Sequence, residues 1–231
     1  MMNRLKTEII VLNEQKYSES SKIIKVLSRE YGKLSILAKG ALNARSKLIS
    51  ITSLFSLSEV ELIKGKNFYY INEFKLIESF YGLRENYIKL IYGNFLLELI
   101  NKTTIETHID TKIFNLVKKT LYKLNETKYT LALILAFELK YMSFIGYRPL
   151  LSEEKDAIFS IEEGGLVKEE NLKGYPISQK NIYYLNELLY TSLDNISQDI
   201  SDKDINYLQM IILKYIKYNL DIEKFNSLNL L

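Results

Sequence analysis

Seven bases, Lys22, Lys25, Arg29, Lys33, Lys39, Arg45 and Lys47, stand between positions 22 and 47 against a single acid, Glu30. Cations at that density can neutralise a polyanion such as a nucleic-acid backbone. Single strands also need flat side chains on which bases stack, and Tyr17, Tyr31, Tyr69 and Tyr70 lie in or beside the same region. A structural reading competes, in which Lys and Arg guard a strand edge against aggregation and the tyrosines fill a core. The positive charge is local. Residues 1–80 carry 13 Lys/Arg and 8 Asp/Glu, a balance of +5, whereas the remainder carries 18 and 20, a balance of −2.

Other chemistries find little support. The chain has no Cys, which excludes disulfides, thiolate nucleophiles and cysteine-held zinc or iron–sulfur clusters. Its one His, His108, lacks a second ligand at i+4 and reads as a loop residue ahead of a helix. Gly164-Gly165 is followed by Leu166-Val167 and not by the Lys and Ser/Thr of a phosphate loop, so ATP binding is not expected. The acid pairs Glu153/Glu154, Glu162/Glu163 and Glu169/Glu170 sit in turn-like stretches where adjacent side chains diverge, and they read as solvated surface. No spaced Asp/Glu cluster suggests a Mg²⁺-dependent nuclease. We therefore expect no catalytic residues, no cofactor and no metal. The opening residues lack the apolar run of a signal peptide, and Leu131–Phe137 is too short to span a membrane, so a soluble, cytoplasmic protein is expected.

Elements that would position the bases can be read from periodicity. Short runs of Val, Ile, Thr, Tyr and Phe predict strands near Leu5–Leu12, Lys22–Ser28, Lys33–Lys39, Ser53–Ile63 and Phe68–Ile77, enough for a small barrel. In the third, Leu34, Ile36 and Ala38 alternate with Lys33, Ser35, Leu37 and Lys39, which puts its bases on one face. In the fourth, a parity slip at Ser58/Glu59 suggests an inserted bulge residue. Lys64-Gly65-Lys66-Asn67 reads as the turn into the fifth.

From about Phe80 the period becomes helical, with Tyr87, Leu90, Ile91 and Phe95 on one stripe. Asp110 reads as an N-cap, and Thr130–Ile145 as a helix apolar nearly all round, ended by Gly146 and Pro149. A small hairpin is expected between Pro149 and Pro176, and two more helices follow Ser178 and Ser201.

The order of several short elements is informative as a set. Ile10-Val11-Leu12, Tyr17-Ser18-Glu19, Ser28-Arg29-Glu30-Tyr31-Gly32-Lys33-Leu34, Ala38-Lys39-Gly40 and Ser46-Lys47 resemble the N-terminal oligonucleotide-binding (OB) fold of the RecO family. Phe137-Glu138-Leu139-Lys140, Gly146-Tyr147-Arg148-Pro149, Glu163-Gly164-Gly165-Leu166-Val167 and Tyr218-Asn219-Leu220 extend the likeness over almost the whole chain. The resemblance implies an α+β protein, with an OB barrel over 1–79 and a helical domain over 80–231 that carries the hairpin lobe at about 149–176.

It also implies a non-enzymatic recombination mediator in DNA repair. Such a protein binds single- and double-stranded DNA, anneals strands without ATP and helps load RecA where single-strand-binding protein (SSB) coats DNA. RecR and the acidic, hydrophobic-ended SSB tail would be its partners. Carried over by pattern and charge, the DNA-binding residues are Lys22, Arg29, Lys33, Lys39, Arg45 and Lys47, with Tyr17 and Tyr31 as stacking candidates. Lys118, Lys119 and Lys140 are candidates for the SSB tail. Many members carry four cysteines in the lobe; here Glu153 to Ala157 has none, and the later pair falls near Lys168 and Asn171. Zinc is therefore not expected. A generic OB-fold binding or adaptor protein without annealing activity remains the alternative.

Overall fold

A computed structural model of the protein describes residues 4–106, 108–151, 157–167 and 173–230. Five strands, β1 Arg4–Lys16, β2 Lys22–Ser28, β3 Gly32–Ala38, β4 Leu57–Lys64 and β5 Tyr69–Glu78, close a barrel in the order β1-β2-β3-β5-β4. Closure comes where β3 and β5 meet in parallel at Ile36 and Tyr69; the other pairs are antiparallel. Alternate residues fill the interior, Ile9 and Val11, Ile24 and Val26, Leu34 and Ile36, Val60 and Leu62, as a strand period of two requires. Each such side chain contributes about 1.5–3 kcal/mol of burial. The barrel is an OB-fold.

The parity slip in β4 has a different origin from the one expected. Leu57 and Ser58 are both buried, yet β4 runs in unbroken register against β1. The extra residues lie on its other neighbour, β5, where the register steps past Ile77 and again past Asn72. The bulges thus belong to β5, and a further one interrupts β1 between Val11 and Asn13.

The barrel shares a compact unit with the helices that follow it, up to Asn125, and with the C-terminal turn from Asn226. A short helix, α1 Leu48–Ile51, precedes β4. The α2 helix, Tyr87–Thr103, packs on β1. In α3, Thr111–Glu126, Asp110 caps the first turn, its carboxylate accepting from the amides of Lys112 at 2.8 Å and Ile113 at 3.2 Å. On α2, Glu98 accepts from the amides of Asn226 and Ser227, both at 2.9 Å, and from the Ser227 hydroxyl at 2.7 Å. Burial pushes Glu98 up, but these bonds outweigh it and hold the carboxyl below its ordinary range.

A second compact unit runs Glu126–Phe225. Its centre is α4, Thr130–Phe144, buried on every side as its composition demands. The side chains of Ser178 and Ser201 cap α5, Gln179–Tyr190, and α6, Asp202–Asn219. The inserted lobe holds the expected hairpin, β6 Ala157–Ser160 with β7 Gly165–Val167, and adds a third strand, β8 Tyr175–Ile177. Pro176 is accommodated because β8 is an edge strand. Within α4, Glu138 is fully buried and accepts from Gln209 Nε2 at 2.7 Å. Burial pushes its carboxyl up to about 8, against the opposing Gln209 bond. Among the described residues no helix is long and apolar enough to cross a membrane.

Candidate nucleic-acid interface

Three loops meet at one end of the barrel. In the β1–β2 turn the amides of Tyr17 and Ser18 both donate to the Ser21 carbonyl, at 2.9 and 3.1 Å, leaving the Tyr17 ring 57% exposed. The β4–β5 turn is closed by Gly65 N–H donating to Phe68 O at 2.9 Å. Only Gly fits there, because a Cβ would run into the Tyr70 ring. Tyr17 meets Phe68 edge-on, centroids 6.1 Å apart at 66°. The chain leaving β3 is tied to the first turn by Leu42 N–H to Ser20 O at 2.9 Å. Exposed Lys39 places its ammonium 5.1 Å from the centre of the Tyr70 ring.

Rings, a cation and two turns at the mouth of an OB barrel are the features with which such folds take up oligonucleotides. Arg45 and Lys47 continue the positive charge along the exposed loop after Lys39, and neither has an ion pair among the described residues. Tyr70 was one of the four tyrosines noted beside the bases, though not one of the two stacking candidates carried over from the resemblance, and Phe68 was not named. The Phe68-Tyr69-Tyr70 run directly after a Lys-Gly-Lys turn is the signal that could have found them.

Several of the other expected bases have partners within the chain. Lys22 is only 6% exposed and pairs with Glu14. Arg29 lies 3.7 Å from Glu8 and 3.8 Å from Glu30. Lys33 donates to the Asn101 carbonyl at the end of α2, at 2.7 Å. Burial and then the neighbouring Lys25 hold its ammonium below the ordinary lysine value, Glu106 opposing. Tyr31 is half-buried against the barrel core.

Of the residues expected to meet an acidic peptide, Lys118 on α3 donates to both oxygens of Glu8, at 2.9 and 3.1 Å, which ties the helix to β1. Lys119 is half-buried on the same helix. In the second unit, Lys140 donates to the Leu189 carbonyl at 2.7 Å. Glu162 and Glu163 are exposed, as a solvated turn would have them. Glu153, Glu154, Lys168, Glu169, Glu170 and Asn171 lie outside the described residues. Among the described residues no group of three His, Asp or Glu could hold a metal ion.

Comparison with known proteins matches residues 2–80 to the family described as "Recombination protein O N terminal" and residues 84–229 to "Recombination protein O C terminal". The chain belongs to the RecO family. A protein of Alkaliphilus metalliredigens named DNA repair protein RecO is 31% identical over 240 residues, 98% of each chain. One of the same name from Acetivibrio thermocellus is 31% identical over 234 residues, 95% of this chain and 93% of its own. Another, from a Thermoanaerobacter species, is 30% identical over 237 residues, 96% and 95% of the two. The RecO N-terminal match encloses the whole barrel, and with it Tyr17, Lys39, Phe68 and Tyr70.

Proposed function

We propose that the chain is a recombination mediator of DNA repair, acting in the cytoplasm at the nucleoid without bond-breaking chemistry of its own. The observation that carries this reading is the ring-and-cation platform of Tyr17, Phe68, Tyr70 and Lys39 at the mouth of the OB barrel. Lys39, Arg45 and Lys47 draw in the phosphate backbone of single- or double-stranded DNA, and bases of a single strand stack on the rings. A strand held along its backbone keeps its pairing edges free, so complementary strands anneal without ATP. The same grip helps RecA load onto DNA from which SSB is being displaced, with RecR and the acidic SSB tail as protein partners. Family membership and relatives named DNA repair protein RecO support this role.

The test is a strand-annealing assay with complementary oligonucleotides, without ATP or Mg²⁺. The protein is expected to accelerate duplex formation, and Lys39→Glu with Lys47→Glu to abolish the acceleration. Binding without acceleration would reduce the protein to a passive binding module, and no binding would remove DNA from the account.

A further inference from the structure

Strands two and three are the face along which OB barrels lay oligonucleotides, and in this barrel a carboxylate already occupies that face. Lys25 on β2 lies opposite Ser35 on β3. Lys25 Nζ is 2.9 Å from Glu106 Oε1 and 2.6 Å from Ser35 Oγ, and Ser35 Oγ is 3.3 Å from the same Glu106 oxygen. Lys33 stands beside them, its backbone bridged in parallel to Glu106. An ammonium and a hydroxyl converging on one anionic oxygen, with a second ammonium close by, is the arrangement in which side chains bind a phosphate. Lys25 holds the Glu106 carboxyl below its ordinary range, with Ser35 and Lys33 adding to the effect against a partial burial.

Glu106 belongs to the connection between α2 and α3. Gly32, at φ +68°, leaves no room for a Cβ because the His108 carbonyl approaches it closely. The apolar side chains point away, Ile105 being 76% exposed and Ile109 55%. Among the described residues the connection meets the barrel here through a backbone approach, a backbone bridge and an ion pair. The Glu106 side chain is 60% exposed, and an ion pair so open to water is weak.

We propose that Lys25, Lys33 and Ser35 form a second phosphate site for a nucleic-acid strand, and that Glu106 fills it in cis, closing this face to DNA in the wild-type protein. Lys39 and the ring platform lie outside this closure, and the wild-type protein takes DNA there. The proposal rests on the reading that the barrel binds DNA, and the experiment separates the two.

Anisotropy of a labelled oligothymidylate is titrated against the full chain across a series of salt concentrations. The variants are Glu106→Gln, Glu106→Gln with Lys25→Ala and Lys33→Ala, and Lys39→Glu with Lys47→Glu. Glu106→Gln is expected to tighten binding by about threefold or more near 0.15 M salt and to steepen the salt dependence by up to about 1.4, roughly 0.7 for each freed phosphate contact. The triple variant is expected to return to the wild-type affinity and slope. A Glu106→Gln protein that binds like wild type overturns the proposal, and so does a gain that survives loss of both lysines. In either case, binding lost by Lys39→Glu with Lys47→Glu leaves the barrel reading standing. If neither wild type nor Glu106→Gln binds the oligonucleotide, both fall together.

Discussion

Lys33 is the second residue of β3 and Lys39 follows its last residue, both on the side of the strand that faces away from the barrel core. At one end the α2–α3 connection reaches the barrel, and Lys33 is bound to the Asn101 carbonyl and desolvated beside Glu106. At the other, Lys39 stands exposed over the Tyr70 ring. Equal charges on one strand thus become a structural tie and a free cation. The difference lies in what remote segments cover, since a charge that has already exchanged water for protein partners has less to offer a phosphate.

The strongest way to break this contrast is to reverse the charges at the open end. Lys39→Glu with Lys47→Glu is expected to weaken single-strand binding by about a hundredfold at low salt and to flatten the salt dependence by about 1.4. Fluorescence titration at several salt concentrations checks both numbers. Wild-type behaviour would show that the open end does not meet DNA.

Coverage taken to completion is seen at Glu138. In the folded chain its carboxyl ionises only near pH 8, against 4.5 for an ordinary glutamate. Between those values the unfolded chain has released a proton that the folded chain keeps, so this group makes stability fall as pH rises toward 8. Glu138→Gln should remove that slope and be more stable at pH 7.5 by on the order of 2 kcal/mol, with the advantage shrinking toward pH 4.5. Chemical denaturation at both pH values decides, and an advantage independent of pH would contradict the buried-acid account.

Lys22 sharpens the comparison from the covered side. Replacing it with Met strands Glu14 beside a buried position and is expected to cost about 1–2 kcal/mol of stability. The salt slope of DNA binding should stay at its wild-type value. A flattened slope with unchanged denaturation would return Lys22 to the interface.

The smallest of these effects is at the rings. Tyr70→Ala is expected to weaken single-strand binding about fivefold, the low end of a base-stacking contribution. Duplex binding should change less, because paired bases are not free to stack on it. Equal losses for both would assign Tyr70 to holding Lys39 and not to stacking.

Local chemistry was legible in the sequence, and long-range pairing was not. The caps at Asp110, Ser178 and Ser201 act within one turn of helix, and the strand runs carry their own period, so both read directly from neighbouring residues. The fate of each base did not, because its partner stands elsewhere in the chain. Glu8 serves both Arg29 and Lys118, Glu106 serves Lys25, and Asn101 serves Lys33. The partners of Lys25, Lys33 and, in part, Arg29 stand far from them in sequence, so the density of bases did not show which were paired. Tyr31 looked like a stacking ring for the same reason, since only barrel closure brings it against the core. Phe68 escaped because a run of aromatics in a strand reads as core until the turn at Gly65 shows which ring faces out. The third strand of the lobe was missed because three residues containing a proline carry too little period.

The most direct test sets Lys33→Ala against Lys39→Ala in the otherwise wild-type chain, with salt titrations on the same oligothymidylate. Lys39→Ala is expected to lower the slope of log affinity against log salt by about 0.7, and Lys33→Ala to leave it unchanged. Equal flattening by both, or flattening by Lys33→Ala alone, would contradict the claim that the open end of the barrel is where this protein meets DNA.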